Sequence, residues 1–454
     1  MKKLNKLLLS LMIAALMTNL AVPFPVSAAT GRYGMILGDN DNNYKLYNNL
    51  IVTSPSGNLM VKAYNVSKGL GLYYSYNKAV KKLTIKNTNN GKSLVFAYGS
   101  RNYTYYSGSS SQGLVKTAAY KFYYDSSSQC YVVHAATLKY ILGYNYYKDL
   151  NDYYSKMGYK SLVVYSINGY SSYDIPITDE VITYINAKTY TSKDELLDAV
   201  RMNLMMRKSG VTFTTNRSVM NQIGSSKTIL DLAESIDDKD TSKDADYLSR
   251  LINNFRQSWS VSYIVRTEPD GTRTNIESPD DVAKLTIDVN YETTLAQERV
   301  VDSKVASTLK SLKLTGSSDY DKVKKIHDYI INSAKYDTSY QKYSAYDMFI
   351  YKTAVCEGYA LTAYRLFVDA GLESRIITGT GKGQAHAWNL VKVDGQWYNI
   401  DLTWDDPITN TGEQVLRYDY FLKSTADFKD HVRAAEYNTA EFQAEYPIAA
   451  QSHE

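Results

Sequence analysis

Through the first third of the chain apolar and polar positions alternate over short stretches, as in KKLTIKN and SLVFAYG, and that alternation predicts short strands. Two stretches there, VKAYNVSKGLGLYY from Val61 and VHAATLKYILGYNY from Val133, align without gaps at an offset of 72 positions. They share V-x-A-x-x-[VL]-x-x-x-L-G-x-x-Y, with apolar residues at helical spacing and a glycine after them. Each copy therefore predicts a short helix with a C-terminal cap, and residues 30–173 read as a small α+β module of two similar halves. Residues 174–300 read as a second α+β unit. ITYINAKTY is strand-like, Ser192 to Glu195 form a capping-box pattern opening a helix toward Gly210, and VTFTT follows as a strand. WSVSYIVRTEPDGTRTNI predicts a hairpin turning at Asp270-Gly271, and KLTIDVNYETT another strand.

Beyond residue 295 the period becomes helical. LAQERVVDSKVASTLKSLKL is one amphipathic run closed near Gly316, and SSDYDKVKKIHDYIINSAKYD is the next, opened by Ser317 or Ser318. His327 lies within this second helix and reads as a packed or surface histidine. A third helix begins at Cys356, with Val355, Tyr359, Leu361, Leu366, Phe367 and Val368 on its apolar face and Gly371 as its stop. HAWNLVKVDGQWYNIDLTWDDP, from His386, is two strands joined by Asp394-Gly395, the preferred pair for a two-residue hairpin loop. The fold class is α+β and multidomain, with expected segments 1–28, 30–173, 174–300 and 301–445.

The first of these changes the charge argument. Lys2, Lys3 and Lys6 precede an apolar run over residues 7–17 that is too short to span a bilayer, and Val26-Ser27-Ala28 supply small residues for cleavage. This reads as a signal peptide, so the mature protein is expected to be secreted or held at the cell surface, with no membrane-spanning segment once the signal is removed. Without those lysines, 51 basic residues become 48 against 47 acidic. Such a balance gives no electrostatic footprint for nucleic acid. With 44% hydrophobic residues the 454-residue chain can bury real cores.

Two cysteines, Cys130 and Cys356, are too few for a disulfide framework, although a bridge between them would cap any nucleophile at 356. Cys356 at a helix start meets unpaired backbone N–H groups and the positive end of the helix dipole, which favour the thiolate. The hairpin supplies possible partners. A two-residue loop at Asp394-Gly395 places Val393 opposite Gln396, Trp388 opposite Asp401 and His386 opposite Thr403. His386 then shares a face with Asp401 as its diagonal neighbour, about 7–8 Å away along the backbone. A thiol, an imidazole and a carboxylate in that relation are what thiolate–imidazolium chemistry needs. Asn399 shares the face but lies one pair further away.

The motifs C-E-G-Y-A, G-x-G-K-G-Q-A-H-A-W-N and W-Y-N-I-D-L-T-W-D-D-P, in this order with separations of 30 positions from Cys356 to His386 and 15 from His386 to Asp401, resemble the core of the transglutaminase-like superfamily. The resemblance covers roughly residues 318–445, including KYD at Lys335 to Asp337 and YDYFLKSTADFKDHV. It implies a papain-like arrangement with Cys356 as nucleophile, His386 as base and Asp401 as its orienter. It further implies acyl transfer from a protein or peptide amide through a thioester. The fate of the acyl group, hydrolysis or transamidation, stays open, with hydrolysis slightly favoured. The backbone N–H of Cys356 is the expected oxyanion donor. Tyr336 is a candidate for the second, against its reading as a structural tyrosine. The N-terminal repeat resembles the stalk module of copper amine oxidases, which implies attachment or spacing.

No cofactor is expected: the five histidines form no ligand-like cluster in sequence, and HExxH is absent. Asp39 to Asn43 resemble the start of a calcium loop, but Tyr44 stands at the turn glycine and Leu50 at the closing acid, so they read as a solvated turn. The acidic loop IDDKDTSKDAD reads as a solvated linker, and Gly379 to Gly383 as a flexible approach to His386. Trp388, Trp397 and Trp404 are expected around the site, Trp388 as a candidate substrate wall. The tyrosine clusters at 73–76, 103–106 and 144–147 read as sheet packing first and as a glycan-contacting surface second. The competing reading of the whole chain is a non-catalytic surface-binding protein using the transglutaminase-like fold.

Overall fold

A computed structural model describes residues 32–38, 44–108, 112–147, 154–155, 157, 159–167, 177–223, 245–408 and 414–453. The apolar run at 7–17, the cleavage site at 26–28, the acidic turn at 39–43 and most of the acidic loop before Asp246 lie outside the described residues. The chain divides into two compact units, Met1–Glu180 and Val181–Glu454.

In the first unit alternation places every second residue inside. In Lys82–Lys86 these are Leu83 and Ile85, and in Ser93–Ala97 they are Leu94 and Phe96. Both strands belong to a five-stranded antiparallel meander running from Tyr73–Asn77 to Leu114–Thr117. In a neighbouring sheet Leu59–Lys62 pairs antiparallel with Cys130–His134, and Val61 stands directly opposite Val133. These valines are corresponding positions of the sequence repeat, so the two halves meet across a local pseudo-twofold axis. Each strand leads into a short helix, α-helical at Ala63–Gly69 and 3₁₀ at Ala135–Tyr140. Tyrosines of the first two clusters pack on the sheet, Tyr76 lying 4.2 Å from Tyr131 and Tyr103 stacking on Phe96 at 5.4 Å, whereas Tyr73 is exposed; the side chains at 144–147 lie outside the described residues.

In the second unit a four-stranded sheet with helices between its strands comes first. The helix at Lys193–Met205 starts after Ser192 as expected, but the Ser192 side chain makes no capping bond. The hairpin around Asp270-Gly271 has a longer loop than its turn pair suggests, because Thr267 pairs with Arg273 and Glu268 N–H donates to Thr272 O. The boundary expected near residue 300 falls inside this unit. There Arg375 makes a two-pronged ion pair with Asp246 at 2.8 and 2.9 Å.

Helix α1 (Leu295–Leu312) opens with a true capping box, Thr294 with Gln297, and α2 (Asp319–Ser333) with a Ser318 cap. Strand β1 (Lys335–Tyr336) pairs parallel with β2 (Thr353–Ala354) on either side of α3 (Ala345–Tyr351). Helix α4 (Cys356–Asp369) follows directly. It packs on a sheet in the order β5 (Gln396–Ile400), β4 (Gln384–Val393), β3 (Ser374–Gly381), β6 (His431–Arg433). One core joins Val301, Ile326, Ile330, Leu361, Leu366, Phe367, Ile376, Val391 and Ile400.

The hairpin register is as the sequence dictates: Val393 faces Gln396 and Asn389 faces Ile400. Asp394 and Gly395 have φ of 49° and 84°, the left-handed pair that suits strand twist. The stretch from Gly379 to Gly383 is no flexible approach. It belongs to a second tight hairpin, Gly381 facing Gln384 across Lys382-Gly383, both residues at positive φ.

Candidate active site

Cys356 is the first residue of α4, after extended Val355, and its side chain is partly exposed. The helix sits close against β2 because position 358 is glycine. A Cβ there would lie 2.5 Å from the Ala354 Cβ and 3.2 Å from the Ser344 carbonyl oxygen. The E-G-Y part of C-E-G-Y-A thus fixes where the thiol stands relative to the strand before it. Both cysteines are free thiols.

His386 lies on β4, with its Nε2 2.7 Å from Asp401 Oδ2 and its side chain buried. The thiol of Cys356 is within hydrogen-bonding reach of the same imidazole. Since Nε2 is committed to Asp401, Nδ1 is the nitrogen left for sulfur. The three residues singled out in the sequence are therefore brought together. Burial pushes His386 down, but the Asp401 charge and hydrogen bond, with Cys356 behind them, raise it to about 10.

Asp401 is not a strand residue. The ladder stops at Ile400, and Asp401 opens a turn in which its Oδ1 accepts the Thr403 and Trp404 N–H groups at 2.9 and 3.3 Å. Asn399, placed on the same face by alternation, instead donates to the Lys423 carbonyl and accepts from Arg433. Burial alone would raise the Asp401 carboxyl. The charge and hydrogen bonds of His386 and His431 outweigh it and hold the group at about 2.

His431 lies within the YDYFLKSTADFKDHV segment, but no motif spacing or period ties it to Asp401. It lies on β6, and its Nε2 is 3.0 Å from the same Asp401 Oδ2. Two of the five histidines do come together in space: His386 and His431, with Asp401 between them, hold their ligand-type atoms within 4.8 Å of one another. The separations of 2.7 and 3.0 Å are those of hydrogen bonds. The group is a hydrogen-bonded set.

Two further carboxylates in T-W-D-D-P anchor the turn. Asp405 Oδ2 is 3.1 Å from Nε2 of fully buried His327, whose Nδ1 faces Asp328, and Asp405 Oδ1 accepts the Tyr420 N–H. Asp406 accepts from Tyr359 on α4 and from Gln414, and burial pushes it up to about 6. The packed reading of His327 holds, although its packing is ionic. Of the tryptophans, Trp404 stacks on His386 at 5.0 Å with Lys382 over its ring. Trp388 is 1% exposed, which makes it a core side chain behind His386 and removes it as a substrate wall. Trp397 packs on Tyr446 away from the site. Burial and the nearby Cys356 raise the Tyr336 phenol to about 12.

Residues 307–402 match the family model described as the transglutaminase-like superfamily. This part of the chain is a transglutaminase-like domain. The kyphoscoliosis peptidase of Mus musculus is 27% identical over 159 residues, covering 30% of this chain and 24% of that protein. Its Homo sapiens counterpart is 28% identical over 137 residues, covering 25% and 21%. The match thus spans about a quarter of the length of these curated relatives. Among solved structures, a TGase crystal structure is similar at TM-score 0.23 and 15% identity over 54% of this chain and 62% of that one. The periplasmic domain of TgpA from Pseudomonas aeruginosa is similar at TM-score 0.20 and 12% identity, covering 34% of this chain and 63% of that one. Among the described residues, no helix of the chain is long and apolar enough to cross a membrane.

Proposed function

We propose that the transglutaminase-like domain is a thiol-dependent acyl-transfer enzyme acting on protein or peptide amides, with hydrolysis favoured over transamidation. The carrying observation is the 2.7 Å contact of Asp401 with His386 Nε2, which leaves Nδ1 for the Cys356 thiol within reach at a helix start. Cys356 attacks the amide carbonyl as the thiolate, and the oxyanion develops beside the Cys356 N–H at the open end of α4. The His386 imidazolium gives its Nδ1 proton to the leaving amine, and a thioester remains on Sγ. Neutral His386 then takes a proton from water, or from an acceptor amine, as that molecule attacks the thioester and the thiolate leaves. Tyr336, whose phenol burial and the nearby thiol keep protonated, is the candidate for the second oxyanion donor. The peptidase names of the curated relatives favour water as the acceptor.

The chain is exported on this reading, and its N-terminal unit serves as a stalk of the copper amine oxidase N-terminal type that spaces or attaches the catalytic domain. Exposed tyrosines such as Tyr73 are available there for glycan contact. The test treats the protein and its Cys356→Ala variant with a protein substrate and a labelled primary amine. Cys356-dependent cleavage supports the peptidase form, and Cys356-dependent amine incorporation the transamidating form. If neither occurs and Cys356 resists mild alkylation, the catalytic reading is refuted.

A further inference from the structure

Behind the three residues of the proposed triad stands a second imidazole that the reaction does not use. His431 sits on the edge strand β6, which approaches β3 closely because position 379 is glycine. A Cβ there would lie 2.0 Å from the Val432 carbonyl oxygen. The ring is boxed by Phe428, stacked at 3.8 Å, and by Trp404 at 4.3 Å, with Trp388 and Tyr420 edge-on. Its Nε2 faces Asp401 Oδ2 and its Nδ1 faces Asp430 Oδ1, both at 3.0 Å, so the ring is placed to donate from both nitrogens. The charged and titratable groups around it are Asp401, Asp430 and His386, with Tyr420 donating to Asp430 at 2.7 Å and Lys382 3.8 Å from the same carboxylate.

We propose that His431 is a positioning residue for the Cys356–His386–Asp401 set, holding Asp401 Oδ2 in place independently of His386. The proposal rests on the triad reading and adds a member to it. Asp401 is 0% exposed, and its Oδ1 is already tied to the Thr403 and Trp404 N–H groups. His386 by itself would leave a buried lone pair on Oδ2 unfilled, a costly arrangement. It would also leave the oxygen's position dependent on a ring whose charge changes in every turnover. A second donor from a different strand removes that dependence. Asp430 fixes the His431 ring in turn, which gives a continuous chain from partly exposed Asp430 to the thiol.

The experiment measures the rate of Cys356 alkylation by iodoacetamide across pH in the full chain, with Cys356→Ala as background. His431→Phe keeps a ring but donates nothing to Asp401, and His431→Gln returns one N–H near the Nε2 position. His431→Phe is expected to slow alkylation at mildly acid pH by about tenfold or more and to move the acid limb of the profile upward, the scale of one hydrogen bond to a buried charge. His431→Gln is expected to recover most of that loss. Wild-type rates in His431→Phe overturn the inference. Equal slowing in both variants with an unmoved pH profile also overturns it, since that is the mark of lost packing alone. If His431→Phe does not fold, Asp430→Asn carries the test: a slowing of severalfold supports the chain, and no change refutes it. His386→Gln separates the two levels. If it alkylates like the wild type the triad reading itself fails, whereas slow His386→Gln with normal His431→Phe sinks only the role of His431.

Discussion

Asp401→Asn removes one charge and keeps the shape, and the surrounding bonds say what happens next. The amide oxygen takes over the Thr403 and Trp404 N–H groups, so the NH₂ faces the two imidazoles. His386 Nε2 must then accept, which puts its single proton on Nδ1, toward the thiol. The base is lost through the wrong tautomer. The electrostatic side has the same sign. Asp401 is the largest influence raising buried His386 from 6.5 to about 10, a span worth about 5 kcal/mol at ~1.4 kcal/mol per unit, and Cys356 supplies a smaller part. Without Asp401, burial leaves the imidazole neutral at physiological pH. Acyl transfer is expected to fall by about 10²–10⁴-fold, the scale of lost acid–base catalysis. Alkylation of Cys356 should lose its acid-pH component while a cooperative thermal transition persists. Wild-type alkylation across the whole pH range in Asp401→Asn would refute the reasoning.

Three other outcomes follow from the same packing. Gly358→Ala drives a Cβ against Ala354 and the Ser344 carbonyl, and thermal melting should show a loss of about 1–3 kcal/mol. His327→Ala strands Asp405 as a buried carboxylate, at a cost of about 3–5 kcal/mol in denaturant unfolding. It should also slow Cys356 alkylation by releasing the turn that carries Asp401. Stability against pH has two limbs with opposite signs. The Asp401 contribution is present above its unfolded value of 3.8 and is lost as pH falls through about 2. The His386 contribution is complete below 6.5 and is lost as pH rises through about 10. Melting temperatures that rise steadily from neutral to strongly alkaline pH would contradict the second limb.

Local chemistry determined much of this protein before any tertiary contact was considered. Asp394-Gly395 sets a loop length, loop length sets register, and register brings His386 beside the end of the strand after which Asp401 follows. The Val61/Val133 repeat likewise announced two halves, and the structure sets those two valines face to face. Ser192 shows the limit of local pattern, since a capping sequence still needs its side chain turned onto the backbone. What only the tertiary structure decided lies beyond Ile400. There the chain leaves the ladder, and no period remains to carry the register from Asp401 to His431, 30 residues on. His327 and Asp405, 78 residues apart, meet for the same reason. Periodicity fixes which side chains share a face within one element. Which histidine from a distant strand fills the last lone pair of a buried carboxylate is set by how closely whole elements pack, through positions such as Gly358 and Gly379.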